Sequence, residues 1–253
     1  MEHVLSYRVG TLRRPNLPFA RLAALGVGGV ELAWDDQTTV EAVRAAVAPA
    51  HLRVTSIQAP ASLQDADFAA RLRSYAAAAA ALGAGYLFVS VRAGELPLPQ
   101  AYARLREGGD VVGAHGVYLA LETHPDLCQN ASSMLATMAG VEHPWIGVNF
   151  DTANIYYYNE RIDGTAELRA VARHVRGVHL KDTMGGFHDG DFPVFGAGIV
   201  DFAAVGSALD AAGYRGPYCM ELEGRNFDPG RPEELAAKVG RCVAHLRSVG
   251  LIR

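Results

Sequence analysis

Apolar residues in this chain follow two alternating periods. Runs with the strand period of two are Val4–Val9, Gly29–Trp34, Arg53–Ala59, Tyr86–Val91, Val117–Thr123, Ile146–Asp151, Val175–Lys181 and Tyr218–Glu223. Segments with helical spacing separate and follow them: Pro18–Leu25, Thr39–Ala48, Asp67–Leu82, Leu98–Ala114, Ala131–Ala139, Gly164–Arg173, Asp201–Ala212 and Pro232–Val249. Thr39 and Asp201 stand where N-caps belong, just before the first helical apolar residues. Strands separated by helices pair in parallel through right-handed crossovers. Eight such units in 253 residues predict a single (β/α)8 TIM barrel spanning 1–253. A doubly wound open sheet is the competitor, but no G-x-G-x-x-G follows the first strand, and Gly26-Val-Gly-Gly-Val30 follows a helix instead.

Composition narrows the partners. A hydrophobic share of 50% supplies a sizeable core. The net charge of −4 offers no basic surplus for counterion release, so nucleic acid is not expected. Cys128, Cys219 and Cys242 are widely spaced without a C-x-x-C pair, which fits a reducing cytoplasm rather than a disulfide framework or zinc knuckle. Met1 to Arg8 lacks a secretory h-region, no stretch reaches membrane-spanning length, and Ala76–Ala81 reads as helix. The expectation is a cytoplasmic protein with no membrane partner, compatible with a homo-oligomer.

The chemistry sits at the ends of the last four strands: Tyr118-Leu-Ala-Leu-Glu122, Ile146-Gly-Val-Asn-Phe-Asp151, Val175-Arg-Gly-Val-His179 and Tyr218-Cys-Met-Glu221. In a barrel these project into the mouth from neighbouring strands, so Glu122, Asp151, His179 and Glu221 converge on one ion. Three carboxylates with one imidazole suit a hard divalent cation, with Mn2+, Mg2+ or Co2+ favoured and Zn2+ open. The alternative is four separate solvated or salt-bridged charges. By the period of two, His124 shares a face with Glu122, Asn149 with Asp151, Lys181 with His179 and Glu223 with Glu221. Lys181 is a candidate to hold a substrate oxyanion and His124 to relay a proton or grip a hydroxyl, unless Lys181 pairs with Asp182 or Asp189 and His124 caps a loop. A metal chelated by two substrate oxygens acidifies the adjacent C–H, and Glu122 and Glu221 are the natural bases to remove and return that proton. Epimerisation, aldose–ketose isomerisation and dehydration share this first half. The Asp182–Val200 segment is long enough to act as a lid.

At these residues the chain resembles the sugar phosphate isomerase/epimerase family of xylose isomerase-like TIM barrels, within the AP endonuclease family 2 superfamily. Phe195-Gly-Ala-Gly-Ile-Val-Asp201-Phe and Gly213-Tyr-Arg-Gly-Pro-Tyr-Cys-Met-Glu221 extend the resemblance over nearly the whole chain. It implies one divalent ion held by Glu122, Asp151, His179 and Glu221, with both glutamates as proton-transfer bases and a small carbohydrate as substrate. Many relatives carry Asp-Thr-x-His. Here Asn154 takes the histidine's place, where it can bond a substrate hydroxyl but cannot titrate. The nuclease branch, with its three zinc ions, is disfavoured because no Asp-x-His precedes the Gly-x-Gly loop. The leading reading is a metal-dependent isomerase or epimerase of a ketose, keto-sugar or inosose; the rivals are a keto-sugar dehydratase and a non-catalytic binding subunit. Gln58–Gln64, Arg92–Leu98 and Gly185–Phe195 are the expected specificity loops. Tyr7, Trp34, Tyr156, Tyr157, Phe187 and Phe192 are candidate pocket walls, and Arg8, Arg92 and Arg225 candidate phosphate contacts.

Overall fold

In the computed structural model, which describes residues 3–253, eight parallel strands close into a barrel in chain order. They are β1 (Leu5–Thr11), β2 (Gly29–Ala33), β3 (Arg53–Gln58), β4 (Tyr86–Val89), β5 (Tyr118–Glu122), β6 (Ile146–Asp151), β7 (Val175–Leu180) and β8 (Tyr218–Met220). The helices α1 (Phe19–Ala24), α2 (Val40–Val47), α3 (Phe68–Leu82), α4 (Leu98–Gly113), α5 (Ala131–Val141), α6 (Gly164–Val171), α7 (Phe202–Ala211) and α8 (Pro232–Ser248) follow them in turn. Leu5 against Tyr218, Ser6 against Cys219 and Tyr7 against Met220 close β1 onto β8. No helix among the described residues is long and apolar enough to cross a membrane.

The helix starts follow local chemistry. Thr39 accepts from Ala42 N, Asp201 accepts from Ala204 N, and Asn130 and Ser133 form a reciprocal capping box at α5. Helix α3 stops at Gly83, whose φ of +75° is left-handed backbone that glycine adopts without steric cost. Two features escape the periodicity: the return strand Arg14–Pro15, antiparallel to the end of β1, and a one-turn helix, Asn154–Tyr157. The last strand is also shorter than the expected Tyr218–Glu223. After Glu221 N bonds Leu180 O, the chain turns away at Gly224, whose φ is +78°.

Alternation along the strands divides the interior in two. Leu87, Leu119, Leu121, Val148, Phe150, Val178 and Leu180 face outward, in one continuous core with Leu72, Leu105 and Val239 of the helices. Inside the barrel, Tyr86, Phe88 and Ala120 form a separate small cluster. Above it the inward positions become polar, and this layer at the strands' C-terminal ends forms the site.

Candidate metal centre and cavity

One ligand-capable atom from each of Glu122, Asp151, His179 and Glu221 lies within 4.8 Å of the others. The register accounts for this: Asp151 pairs with His179 across β6 and β7, Glu122 pairs with Asn149, and Glu221 follows the His179–Cys219 pair by two residues. Each of the four side chains has one atom already held by the protein. Ser90 Oγ donates to Glu122 Oε2, and Arg8 Nη1 donates to Glu221 Oε1. Ala153 N (2.8 Å) and Asn154 N (2.9 Å) donate to Asp151 Oδ1, and His179 Nε2 lies 3.0 Å from Glu31 Oε1. The opposite atoms turn inward together: His179 Nδ1 is 3.3 Å from Glu122 Oε1, 3.2 Å from Glu221 Oε2 and 3.9 Å from Asp151 Oδ2. His179 Nδ1 is buried without a hydrogen-bond partner, and the inward oxygens Asp151 Oδ2 and Glu221 Oε2 have only the Lys181 ammonium beside them, at 3.1 and 2.8 Å. Buried polar atoms are rarely left so. Neighbouring ligands around a divalent ion at roughly 2.1 Å stand roughly 3–3.5 Å apart, close to the 3.2 and 3.3 Å found here, so this donor set fits one hard cation.

Several charges share this small volume. Burial acts to raise the Glu221 carboxyl, but Lys181, His179 and Arg8 overcome it and hold the group well below the usual carboxylate range. For Asp151, burial prevails over Lys181, with Glu221 adding repulsion, and its carboxyl is pushed up to about 7. Burial opposes charge on His179, yet Glu31 and Glu221 raise its proton affinity well above the ordinary imidazole value. Lys181, buried beneath the Phe192 ring, donates to Glu223 Oε1 (2.8 Å) and Asn154 Oδ1 (3.3 Å), and its Nζ lies 2.8 Å from Glu221 Oε2. It therefore joins the site carboxylates, not Asp182 or Asp189.

The centre opens into a cavity of about 380 Å³ whose lining includes Arg8, Gln58, His124, Tyr158, Phe192 and Glu223. His124 Nε2 is 3.0 Å from Tyr158 OH and Nδ1 is 3.4 Å from Arg92 Nη2, so its side chain serves the cavity rather than capping a loop. Burial lowers its proton affinity and pushes the Tyr158 hydroxyl up to about 12. Asn154 and Lys181 also line the space, as do Tyr157 and Gly190. Other aromatic candidates lie elsewhere: Tyr7 is core, Tyr156 OH accepts from Gly164 N, and Phe187 stacks on His188. Arg225 pairs with Asp191 at 2.6 Å, and Arg8 works inside the mouth, also donating to Gln58 Oε1 at 2.7 Å. Asn149 is buried in the barrel and does not reach the cavity lining.

Periodicity alone did not single out Glu31, Ser90 or Gln58 for this site. Glu31 carried a signal, since a carboxylate inside the apolar run Gly29-Val-Glu-Leu-Ala33 must find a buried partner. Ser90 carries none, being an ordinary strand-end polar residue, and Gln58 enters only as the first residue of an expected specificity loop.

A closed parallel barrel with three carboxylates and a histidine gathered at its C-terminal mouth defines an α/β barrel with a cluster that could hold a metal ion. Residues 19–246 match the xylose isomerase-like TIM barrel family, and the chain belongs to it. L-Ribulose-5-phosphate 3-epimerase UlaE of Salmonella paratyphi C is 32% identical over 151 residues, covering 58% of this chain and 51% of the relative. The match thus spans about half the length of the curated relatives. Among solved structures, a xylose isomerase domain protein from Planctomyces limnophilus superposes with a TM-score of 0.81 at 20% identity, covering 98% of both chains. An L-ribulose 3-epimerase gives a TM-score of 0.77 at 22% identity, covering 98% of this chain and 94% of that one.

Proposed function

We propose that this protein is a metal-dependent sugar epimerase that inverts the carbon beside the carbonyl of a ketose or keto-sugar. One observation carries the reading: four ligand residues are each pinned on one side and aimed on the other at a common point, with two glutamates flanking it. The 3-epimerase relatives support the reaction class. A divalent ion, with Mn2+ the first candidate, would be held by Glu122, Asp151, His179 and Glu221, and when bound would polarise the substrate carbonyl and acidify the neighbouring C–H.

The chain's own groups then divide the work. One of Glu122 and Glu221 takes the proton from carbon, and the other, carrying a proton, returns one to the opposite face of the enediolate. Each keeps its place through its outer oxygen, Glu122 through Ser90 and Glu221 through Arg8. Lys181 offers its ammonium to developing negative charge on a substrate oxygen, and His124 and Asn154 orient hydroxyls. Phe192 covers Lys181 and excludes water from that side.

Incubating the Mn2+-loaded protein with unphosphorylated and 5-phosphorylated ketopentoses and ketohexoses in deuterium oxide tests the proposal. Solvent deuterium at the inverted carbon is expected, with Glu122→Gln and Glu221→Gln each slowing turnover by roughly 10²- to 10⁴-fold. Loss of water from the substrate would assign a dehydratase instead. An active Glu221→Gln protein would exclude the two-base mechanism.

A further inference from the structure

The geometry points to Glu31, backed by Ser56, as the positioning residue that sets His179 for metal capture; the inference rests on the metal reading above. Glu31 sits in the middle of β2, 148 residues from His179 in sequence, and both side chains have 0% exposure. Its Oε1 lies 3.0 Å from His179 Nε2, and its Oε2 accepts from Ser56 Oγ at 2.6 Å. Arg8 Nε stands 3.9 Å from Oε1, linking Glu31 to the guanidinium that also holds Glu221.

A neutral imidazole carries one N–H, and the nitrogen facing an obligate acceptor keeps it. Glu31 is such an acceptor on the Nε2 side, so the lone pair is left on Nδ1, the atom that faces Glu122, Asp151 and Glu221. The edge-on contact with Phe88, 4.7 Å between ring centres at 82°, restrains the ring plane. A buried carboxylate without such a task is costly, since an apolar residue would fill the position without desolvating a charge. Glu31, His179 and Cys219 also form a second close group of ligand-capable residues. Both oxygens of Glu31 are already engaged by His179 and Ser56, which favours positioning over direct ligation.

Metal-stripped wild-type, Glu31→Gln and Ser56→Ala proteins are titrated with Mn2+ by electron paramagnetic resonance, with circular dichroism as the check on folding. Wild type should bind one equivalent, Glu31→Gln should bind about 10- to 100-fold more weakly, and Ser56→Ala should weaken binding less, in the same direction. Imidazole 15N spectra of the Zn2+-loaded wild type should place the His179 proton on Nε2, a signature that a purely structural carboxylate would not set. Wild-type affinity in folded Glu31→Gln, or a proton on Nδ1, overturns the inference while leaving the metal reading intact. Two equivalents of Mn2+ would assign Glu31 and Cys219 to a second ion and overturn it as well. No binding by wild type would sink the metal reading and this inference with it.

Discussion

Asp182→Asn should loosen the segment that carries Gly190 and Phe192 over the cavity, while leaving the barrel folded. Asp182 is fully buried, and four backbone N–H groups converge on it. Thr183 N (2.9 Å) and Val200 N (3.1 Å) reach Oδ1; Gly196 N (2.9 Å) and Gly198 N (3.0 Å) reach Oδ2. The packing leaves no slack, since a Cβ on Gly198 would come within 2.3 Å of Oδ1. An amide keeps one acceptor oxygen, so its NH2 faces either the buried Thr183 and Val200 N–H groups or the part-buried Gly196 and Gly198 N–H groups. At about 1–3 kcal/mol for each donor left without an acceptor, the loss is about 2–6 kcal/mol. The segment 183–200 can open as a local unit, so the cost should appear first in amide exchange. Hydrogen-exchange mass spectrometry should find protection at Gly196, Gly198 and Val200 reduced by roughly 30-fold or more, taking about 1.4 kcal/mol per tenfold. Unchanged protection in the variant would refute the assignment of Asp182 as the anchor of this loop.

Other outcomes follow from the same packing and charges. Gly177→Ala would place a Cβ 2.3 Å from Asn149 Oδ1 and 2.6 Å from the Tyr86 ring, so urea unfolding should register a loss of about 1–3 kcal/mol; an unchanged midpoint would mean that the barrel interior yields freely. In the metal-free protein His179 is held protonated above its ordinary range and the Asp151 carboxyl is pushed up to about 7. Both protons must leave before Nδ1 and Oδ2 can take an ion, so Mn2+ affinity should rise with pH, by up to about tenfold per unit for each proton displaced. A pH-independent affinity between about pH 6 and 8 would exclude this coupling. Stripping with EDTA should lower the melting temperature relative to protein at a hundredfold excess of Mn2+ over its Kd, where binding stabilises by about 2.7 kcal/mol; identical melts would count against the centre.

The barrel could be read from periodicity because each strand alternates against the same outer helical layer. Helix limits agree to within two residues, as at α5 and α6, where the last turn is set by backbone geometry that side-chain period does not encode. Glu122, Asp151, His179 and Glu221 stood out because each closes an apolar run, a place where charge is conspicuous. Arg8 stands out in the sequence only as a candidate phosphate contact, because nothing there tells that barrel closure sets it against Glu221. Nor does anything there tell that Tyr158 meets His124 across two loops. Such pairings depend on the register in which β1 meets β8 and on how the loops after β5 and β6 come together, which the residue types do not determine.

The joint between β1 and β8 rests on three residue pairs, and the site straddles it. Arg8 and Glu221 are 213 residues apart, and Glu31 and His179 are 148 apart. A chain whose first two strands have not docked lacks the backing for two of the four proposed ligands, Glu221 and His179. Capacity for an ion should therefore arrive with the last seam of the barrel, not with any sub-assembly. An ion drawn to Glu221 and His179 would pull, through Arg8 and Glu31, on the first two strands, acting as a latch across the seam where the two ends of the sheet meet.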